Sequence, residues 1–160
     1  MATSKRNLSS YDKSQVPNGA GLTIGIVVSD WNDHITHSLL AGAKEALLDC
    51  GVLEDNIPVY HVPGSFELIY GAKRMAQLQM PDAIIVLGSV IRGETAHFDF
   101  VCNGVANGIA QLNIELSIPV IFGLLTDNNE QQAIDRSGGK HGNKGTECAI
   151  AALQMTAINS

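Results

Sequence analysis

The chain has 160 residues, 45% hydrophobic and 16% charged, with a formal net charge of −6 from 10 Lys and Arg against 16 Asp and Glu. That length holds one domain with a core large enough to need no metal or disulfide staple, and the acidic balance excludes a phosphate backbone or an anionic membrane as the main partner. So few charges on so small a chain point to surface hidden in an oligomer, and Cys50, Cys102 and Cys148 are spaced as buried thiols of a reducing compartment, not as a disulfide framework or metal site.

Residues 1–21 are polar and end on Pro17, Gly19 and Gly21, which predicts an N-terminal arm extending from the domain at 22–160. The opening shows no apolar core of a secretory leader, and no apolar run reaches the length that spans a bilayer. The expectation is a cytoplasmic protein. "LTIGIVVSD" (22–30) is a β-branched run, predicting a strand buried on both faces. "ITHSLLAGAKEALLDCG" (35–51) puts Ile35, Leu39, Leu40, Ala43, Ala46 and Leu47 on one helical face and stops at Gly51. A short strand at 56–62 ends at Pro63-Gly64, and a helix follows over 65–78 with Ser65 as its N-cap. "DAIIVLGSVI" (82–91) is a strand, and 97–116 a long helix with Phe98, Val101, Val105, Ile109 and Leu112 inward. "IPVIFGLLT" (118–126) is a fourth strand, 129–138 a short helix, and 146–158 a last helix opened by Thr146. The order β-α-β-α-β-α-β-α-α predicts a single-domain three-layer α/β/α sandwich, a four-stranded parallel sheet with helices on both faces.

In such sheets ligands bind beyond the carboxyl ends of the strands. Four segments lie there. "SDWNDHIT" carries Trp31, the only tryptophan, which is either a rim aromatic or a face for stacking a planar ring. His34 and His37 are spaced i, i+3 without a local carboxylate or cysteine cluster, so metal ligation is not the expected reading. In "VPGSFEL", Glu67 either complements a helix dipole or accepts ligand hydroxyls. "RGET" leads into a helix that Thr95 can cap; amides plus a hydroxyl at a helix N-terminus suit phosphate, although this is not the phosphate loop of nucleotide triphosphatases. His97 follows in the first turn, as a proton shuttle or as a histidine satisfied by a carbonyl. After the fourth strand Arg136, Lys140, His141 and Lys144 fall among glycines, as a solvated loop or as a grip on phosphate through Arg136. No nucleophile elbow is present. The residues read as phosphate binding, ring stacking, polyol recognition and proton transfer without covalent catalysis.

"VPGSFEL", "GSVIRGETAHFDFV", "IPVIFGLLT" and "GGKHGNKG", in that order, resemble the lumazine synthase family over roughly Leu22 to Ile158. The resemblance implies a flavodoxin-like fold and a cofactor-free, metal-free condensation of 5-amino-6-(D-ribitylamino)uracil with 3,4-dihydroxy-2-butanone 4-phosphate. The product is 6,7-dimethyl-8-ribityllumazine, one step before riboflavin, with release of phosphate and water. It implies that Trp31 stacks on the pyrimidine where many relatives have Phe, and that Asn32 shapes the pocket. Ser65, Phe66 and Glu67 would contact uracil and ribityl groups, and Ser89, Val90 and Ile91 the heterocycle edge. Gly93, Glu94 and Thr95 would bind phosphate, Glu94 through its amide. His97 would move protons, Phe122 close the ring pocket, Arg136 bind phosphate and Lys144 lie close by. The family builds each site between adjacent subunits of a pentamer, with Phe122 and Arg136 from the neighbour. The short "SGGKHGNKG" segment favours the 60-subunit icosahedral shell over the free pentamer, with riboflavin synthase as a cargo such a shell can admit. Small molecules and further copies of the chain are the expected partners, with no nucleic acid and no membrane. Two other readings are a flavodoxin-like module holding flavin or nucleotide without chemistry, and a shell protein with an idle site.

Overall fold

The computed structural model describes residues 7–159; the arm before Asn7 and the last residue lie outside it. Four strands, β1 (Ile24–Ser29), β2 (Val59–Val62), β3 (Ala83–Ile91) and β4 (Val120–Asp127), form one parallel sheet in the order β2-β1-β3-β4. Helices α1 (Asp33–Asp49), α2 (Leu68–Gln79), α3 (His97–Glu115) and α4 (Glu130–Arg136) follow the strands in turn. A two-stranded hairpin, β5 (Ser137–Gly139) and β6 (Gly142–Asn143), precedes α5 (Lys144–Thr156). The alternation read from the sequence is therefore the architecture; the hairpin is an addition.

Period-2 alternation along the buried strands splits the core. Ile24, Ile26 and Val28 of β1 and Ile85 and Leu87 of β3 face Leu39, Ala43 and Leu47 of α1 and Ala149, Ala152 and Leu153 of α5. Val27, Ile84 and Val86 face the other way, onto Leu68, Ala72 and Met75 of α2 and Val105, Ile109 and Leu112 of α3. β1 is buried along its whole length, as its β-branched run predicts. Leu40 and Val101, both assigned to inward faces, are only partly buried. Gly51 stops α1 as expected: its φ is +96°, and its amide and that of Val52 donate back to Leu48 and Leu47. On the other face, a Cβ at Gly104 or Gly108 of α3 would stand 2.6 Å from Phe66 or 2.4 Å from Ile69, so these glycines set how closely α2 approaches α3.

Two cap assignments are corrected. α2 begins at Leu68, not Ser65, and the Ser65 hydroxyl makes no cap bond. α5 begins at Lys144, because Asn143 caps it by accepting from the Gly145 amide, while Thr146 donates to Gly42 O of α1 instead. The described part of the arm is not clear of the body. Tyr11 and Val16 pack on the α1–α5 core, the Tyr11 hydroxyl donates to Asp49 at 2.8 Å, and the Asn143 amide donates to Ser9 Oγ at 2.8 Å. The three thiols are free; Cys50 and Cys148 are buried, Cys102 partly so, and burial pushes Cys148 up to about 12. No helix among the described residues is long and apolar enough to cross a membrane.

Candidate active site

The carboxyl ends of β1 and β3, the turn before α2 and the first turn of α3 enclose a cleft of about 690 Å³. That size suits a small-molecule ligand. Trp31 and Asn32 supply one wall, Ser65, Phe66 and Glu67 a second, Ser89, Val90 and Ile91 the floor, and Gly93, Thr95 and His97 the rim. These residues come from three separate stretches of the sequence, and the parallel sheet levels them at one edge.

Backbone placement fixes the first wall. The amides of Asp30 and Trp31 donate to Val62 O at 2.8 Å and Pro63 O at 3.1 Å, which carries the β1–β2 ladder past both strand ends. Asn32 then turns left-handed at φ 59°, a conformation asparagine tolerates better than most residues. Its carbonyl accepts from Ile35 and Thr36, starting α1, and its side-chain amide donates to Ser89 O at 3.0 Å. Asn32 thus ties the Trp31 turn to the end of β3. Trp31 itself is 70% exposed, its ring free to meet a ligand.

The floor carries an unusual polarity. Ser89 is 1% exposed and Ser65 7%, yet neither hydroxyl has a hydrogen-bond partner among the described residues. A buried hydroxyl left unpaired costs about 1–3 kcal/mol, so both are groups that a ligand in this cleft can satisfy. Gly88 lets the strands and α2 close here; a Cβ would meet Leu124 and Ser65 Oγ, each at 2.8 Å.

The loop from β3 to α3 is pinned from beneath. Arg92 donates to Asp99 at 3.0 Å and to Asn128 at 3.1 Å, and its guanidinium lies 4.1 Å from the centroid of the Phe98 ring. Gly93, Glu94, Thr95 and His97 are left exposed above it, and a Cβ at Gly93 would meet nothing within 4 Å. Thr95 Oγ1 accepts from the His97 amide at 3.4 Å, but Ala96 holds the N-cap position of α3 and no side chain caps it, so the cap expected of Thr95 is corrected. Glu94 is exposed and is not among the residues that line the cleft.

Phe122, Arg136 and Lys144 are not in this cleft. They line a second concavity of about 630 Å³ along β4, with Leu8, Asp127 and His141. Arg136 donates to Gln132 O at 3.2 Å and lies 3.8 Å from Asp127 Oδ1. Asp127 is 5% exposed, its other oxygen has no partner among the described residues, and burial pushes its carboxyl above the usual carboxylate range although Arg136 pulls it down. The basic cluster of the sequence divides here: Lys140 is held by Asp135 at 3.0 Å, and Lys144 by Glu147 at 3.0 Å.

Reading the sequence did not pick out Phe100, Val101, Phe98 and Gly64 as cleft residues, nor Asp127 beside Arg136. Phe98 and Val101 carry the helical period of the core and so read as packing alone. Phe100 is out of phase with that stripe and 75% exposed, the one signal that marked it. Asp127 needs the sheet register, which pairs it with Ile91 at the level of the cleft.

Fold and cleft together define an α/β protein of the class whose ligands bind at the carboxyl edge of a parallel sheet, with a helix start and a histidine at the rim of the cleft. Residues 21–160 match the family model described as 6,7-dimethyl-8-ribityllumazine synthase. Three relatives carry that same name. The protein of Flavobacterium johnsoniae is 63% identical over 158 residues, covering 99% of this chain and 83% of the relative. That of Flavobacterium psychrophilum is 62% identical over 155 residues, 97% of this chain and 82% of the relative. That of Porphyromonas gingivalis is 52% identical over 158 residues, 99% and 98%. The chain belongs to the 6,7-dimethyl-8-ribityllumazine synthase family, transferases of riboflavin biosynthesis.

Proposed function

We propose that the cleft is the larger part of an active site that joins 5-amino-6-(D-ribitylamino)uracil to 3,4-dihydroxy-2-butanone 4-phosphate, and that a neighbouring copy of the chain completes it. In this reading the pyrimidine stacks on Trp31, with its edge along Ser89, Val90 and Ile91. Ser65, Phe66 and Glu67 take the uracil and ribityl groups, within the space that Asn32 shapes. The phosphate sits on the amides of Gly93 and Glu94 and on the Thr95 hydroxyl, where the α3 N-terminus favours an anion. An amine of the pyrimidine condenses with the butanone carbonyl. His97 then moves the protons that accompany loss of phosphate, ring closure and loss of water. Holding two reactive substrates together supplies most of the rate, and His97 adds about 10²–10⁴-fold.

The observation that carries the two-subunit reading is the separation of Arg136 and Phe122 from the cleft. They line a separate concavity along the edge strand β4, with an aromatic ring and a partly exposed guanidinium for another copy to meet. The exposed apolar side chains of α2 and α3, among them Tyr70, Leu78, Phe100 and Ile114, supply surface for that copy to bury. A ring of copies joined head to tail gives every site one His97 and one Arg136 from different chains. A pentamer, and from it a 60-subunit shell able to hold riboflavin synthase, is the assembly this reading expects, in the cytoplasm.

The test follows lumazine formation by fluorescence against the spontaneous reaction. His97→Ala slows turnover without abolishing it, and Arg136→Ala raises KM for the phosphate substrate far more than for the pyrimidine. Equal mixtures of the two variants, dissociated and reassembled, regain about a quarter of parental activity, since a quarter of the shared sites then hold both residues. A mixture no faster than the mean of its components places both residues in one chain's site and sinks the proposal.

A further inference from the structure

Asp30, His37 and His61 come from three elements and meet outside the cleft. Asp30 ends the β1 run, His61 lies on the edge strand β2, and His37 is in the second turn of α1. Both imidazoles aim at the same oxygen: His61 Nδ1 stands 2.7 Å and His37 Nε2 3.4 Å from Asp30 Oδ1. The rings are 5.7 Å apart and inclined at 83°, so neither blocks the other's approach. One ligand atom from each residue lies within 4.8 Å of the other two. Each side chain is about half exposed, leaving the open side to solvent.

We infer that this trio is a binding site for a borderline transition-metal dication such as Zn²⁺ or Ni²⁺. Around a tetrahedral ion with bonds of about 2.0–2.2 Å, ligand atoms stand about 3.4 Å from each other. The His37–Asp30 separation equals that spacing and the His61–Asp30 separation is shorter, so a small rotation of exposed side chains completes the triangle. Two imidazoles and one carboxylate select such ions over Mg²⁺ or Ca²⁺, which prefer an all-oxygen shell. An ion there takes the place of the protons that the imidazoles now share with Asp30, and water fills the remaining positions. His34, close in sequence, is directed elsewhere, with Nε2 2.8 Å from Glu130, and is not part of the set. The site asks nothing of the condensation chemistry, so its test stands apart from the assigned activity.

Trp31 follows Asp30 and is the only tryptophan, which makes it a built-in reporter. Untagged full-length protein in its native assembly is titrated with Ni²⁺, reading Trp31 fluorescence, and the bound ion is counted by equilibrium dialysis. The expected result is saturable quenching at one Ni²⁺ per chain, displaced by Zn²⁺ and unmoved by excess Mg²⁺. His37→Gln and His61→Gln each weaken Ni²⁺ binding by at least the factor of about 10–100 that loss of a ligand's supporting partner costs. His34→Gln leaves it unchanged. Circular dichroism confirms that all three variants fold. Binding at parental strength in either His37→Gln or His61→Gln overturns the inference. So does an equal loss in His34→Gln, or displacement of the Ni²⁺ by Mg²⁺.

Discussion

Replacing Ser89 by Ala separates binding from stability at the floor of the cleft. The Ser89 hydroxyl is buried at 1% exposure without a partner among the described residues, while the backbone carbonyl of the same residue is engaged by Asn32. Leaving such a hydroxyl unsatisfied costs about 1–3 kcal/mol. Ser89→Ala removes that cost and one oxygen atom of packing, so the unliganded variant gains about 1 kcal/mol, a rise in Tm of about 2–4 °C for a chain of this size. On the proposed reading, the same change also removes a hydrogen bond to the pyrimidine worth about 0.5–1.5 kcal/mol, which raises KM for that substrate about two- to tenfold. The assay pairs thermal scans at matched protein concentration with substrate titrations, since an oligomer's Tm depends on concentration. A variant that melts below the parent and binds pyrimidine equally well would show that the hydroxyl is already satisfied in the folded protein. The argument that the floor waits for a ligand then fails.

Three further outcomes follow from packing and charge. Asn143→Ala should cost about 2 kcal/mol in urea denaturation, since it removes the α5 cap and the side-chain hydrogen bonds to the carbonyls of Ser38 and Ser137 at 2.8 and 3.2 Å, although the Ser137 carbonyl still accepts from Ser38 Oγ. Asn143→Asp keeps the cap acceptor but turns an oxygen on both carbonyls, so it should be no more stable than the alanine variant; a mild effect from either refutes this account. Burial, aided by the hydrogen bond to Asp49, pushes Tyr11 up from 10.0 to about 12. The protonated phenol is thus the form the fold favours. Its contribution is intact below pH 10 and lost as pH rises through 12; the advantage of the parent over Tyr11→Phe in urea midpoint should shrink across that window, and a constant gap would count against it. Asp127 is raised by burial, so its contribution is fully present below its ordinary value of about 3.9 and lost as pH rises through the raised one. Thermal scans from pH 4 to neutrality should therefore show Asp127→Asn gaining on the parent as pH rises, and parallel curves would contradict the assignment.

What the sequence discloses and what it withholds follow from range. The strands and long helices are written in local periods, and Gly51 marks its own left-handed stop, so the layer order is legible from spacing alone. The hairpin at Ser137–Asn143 is not, because its few residues are mostly glycine, lysine and histidine and carry no period. The start of α5 is hidden for a similar reason: Asn143 caps it inside a glycine-rich stretch, while Thr146 offers the more familiar signal and spends its hydroxyl on α1. At the site, the motif residues from Trp31 to His97 could be named because strand ends are where such sheets bind. Pairings that cross the sheet could not. Sequence spacing sets His37 beside His34, whereas the fold turns His37 to Asp30 and His34 to Glu130. The Asp127–Arg136 contact likewise depends on where β4 ends relative to α4.

The two glycines that admit α2 to α3 also bear on how the site comes into being. Each weakens the helix by about 1 kcal/mol relative to alanine, and helices in proteins draw most of their stability from packing. α3 therefore cannot hold its shape before Phe66 and Ile69 have docked against Gly104 and Gly108. His97 and the turn proposed to hold phosphate sit at the start of that late helix, so this edge of the molecule is expected to be among the last parts to gain protection in pulse-labelled hydrogen exchange during refolding. Early protection of the α3 amides, ahead of those of α2, would reverse that order.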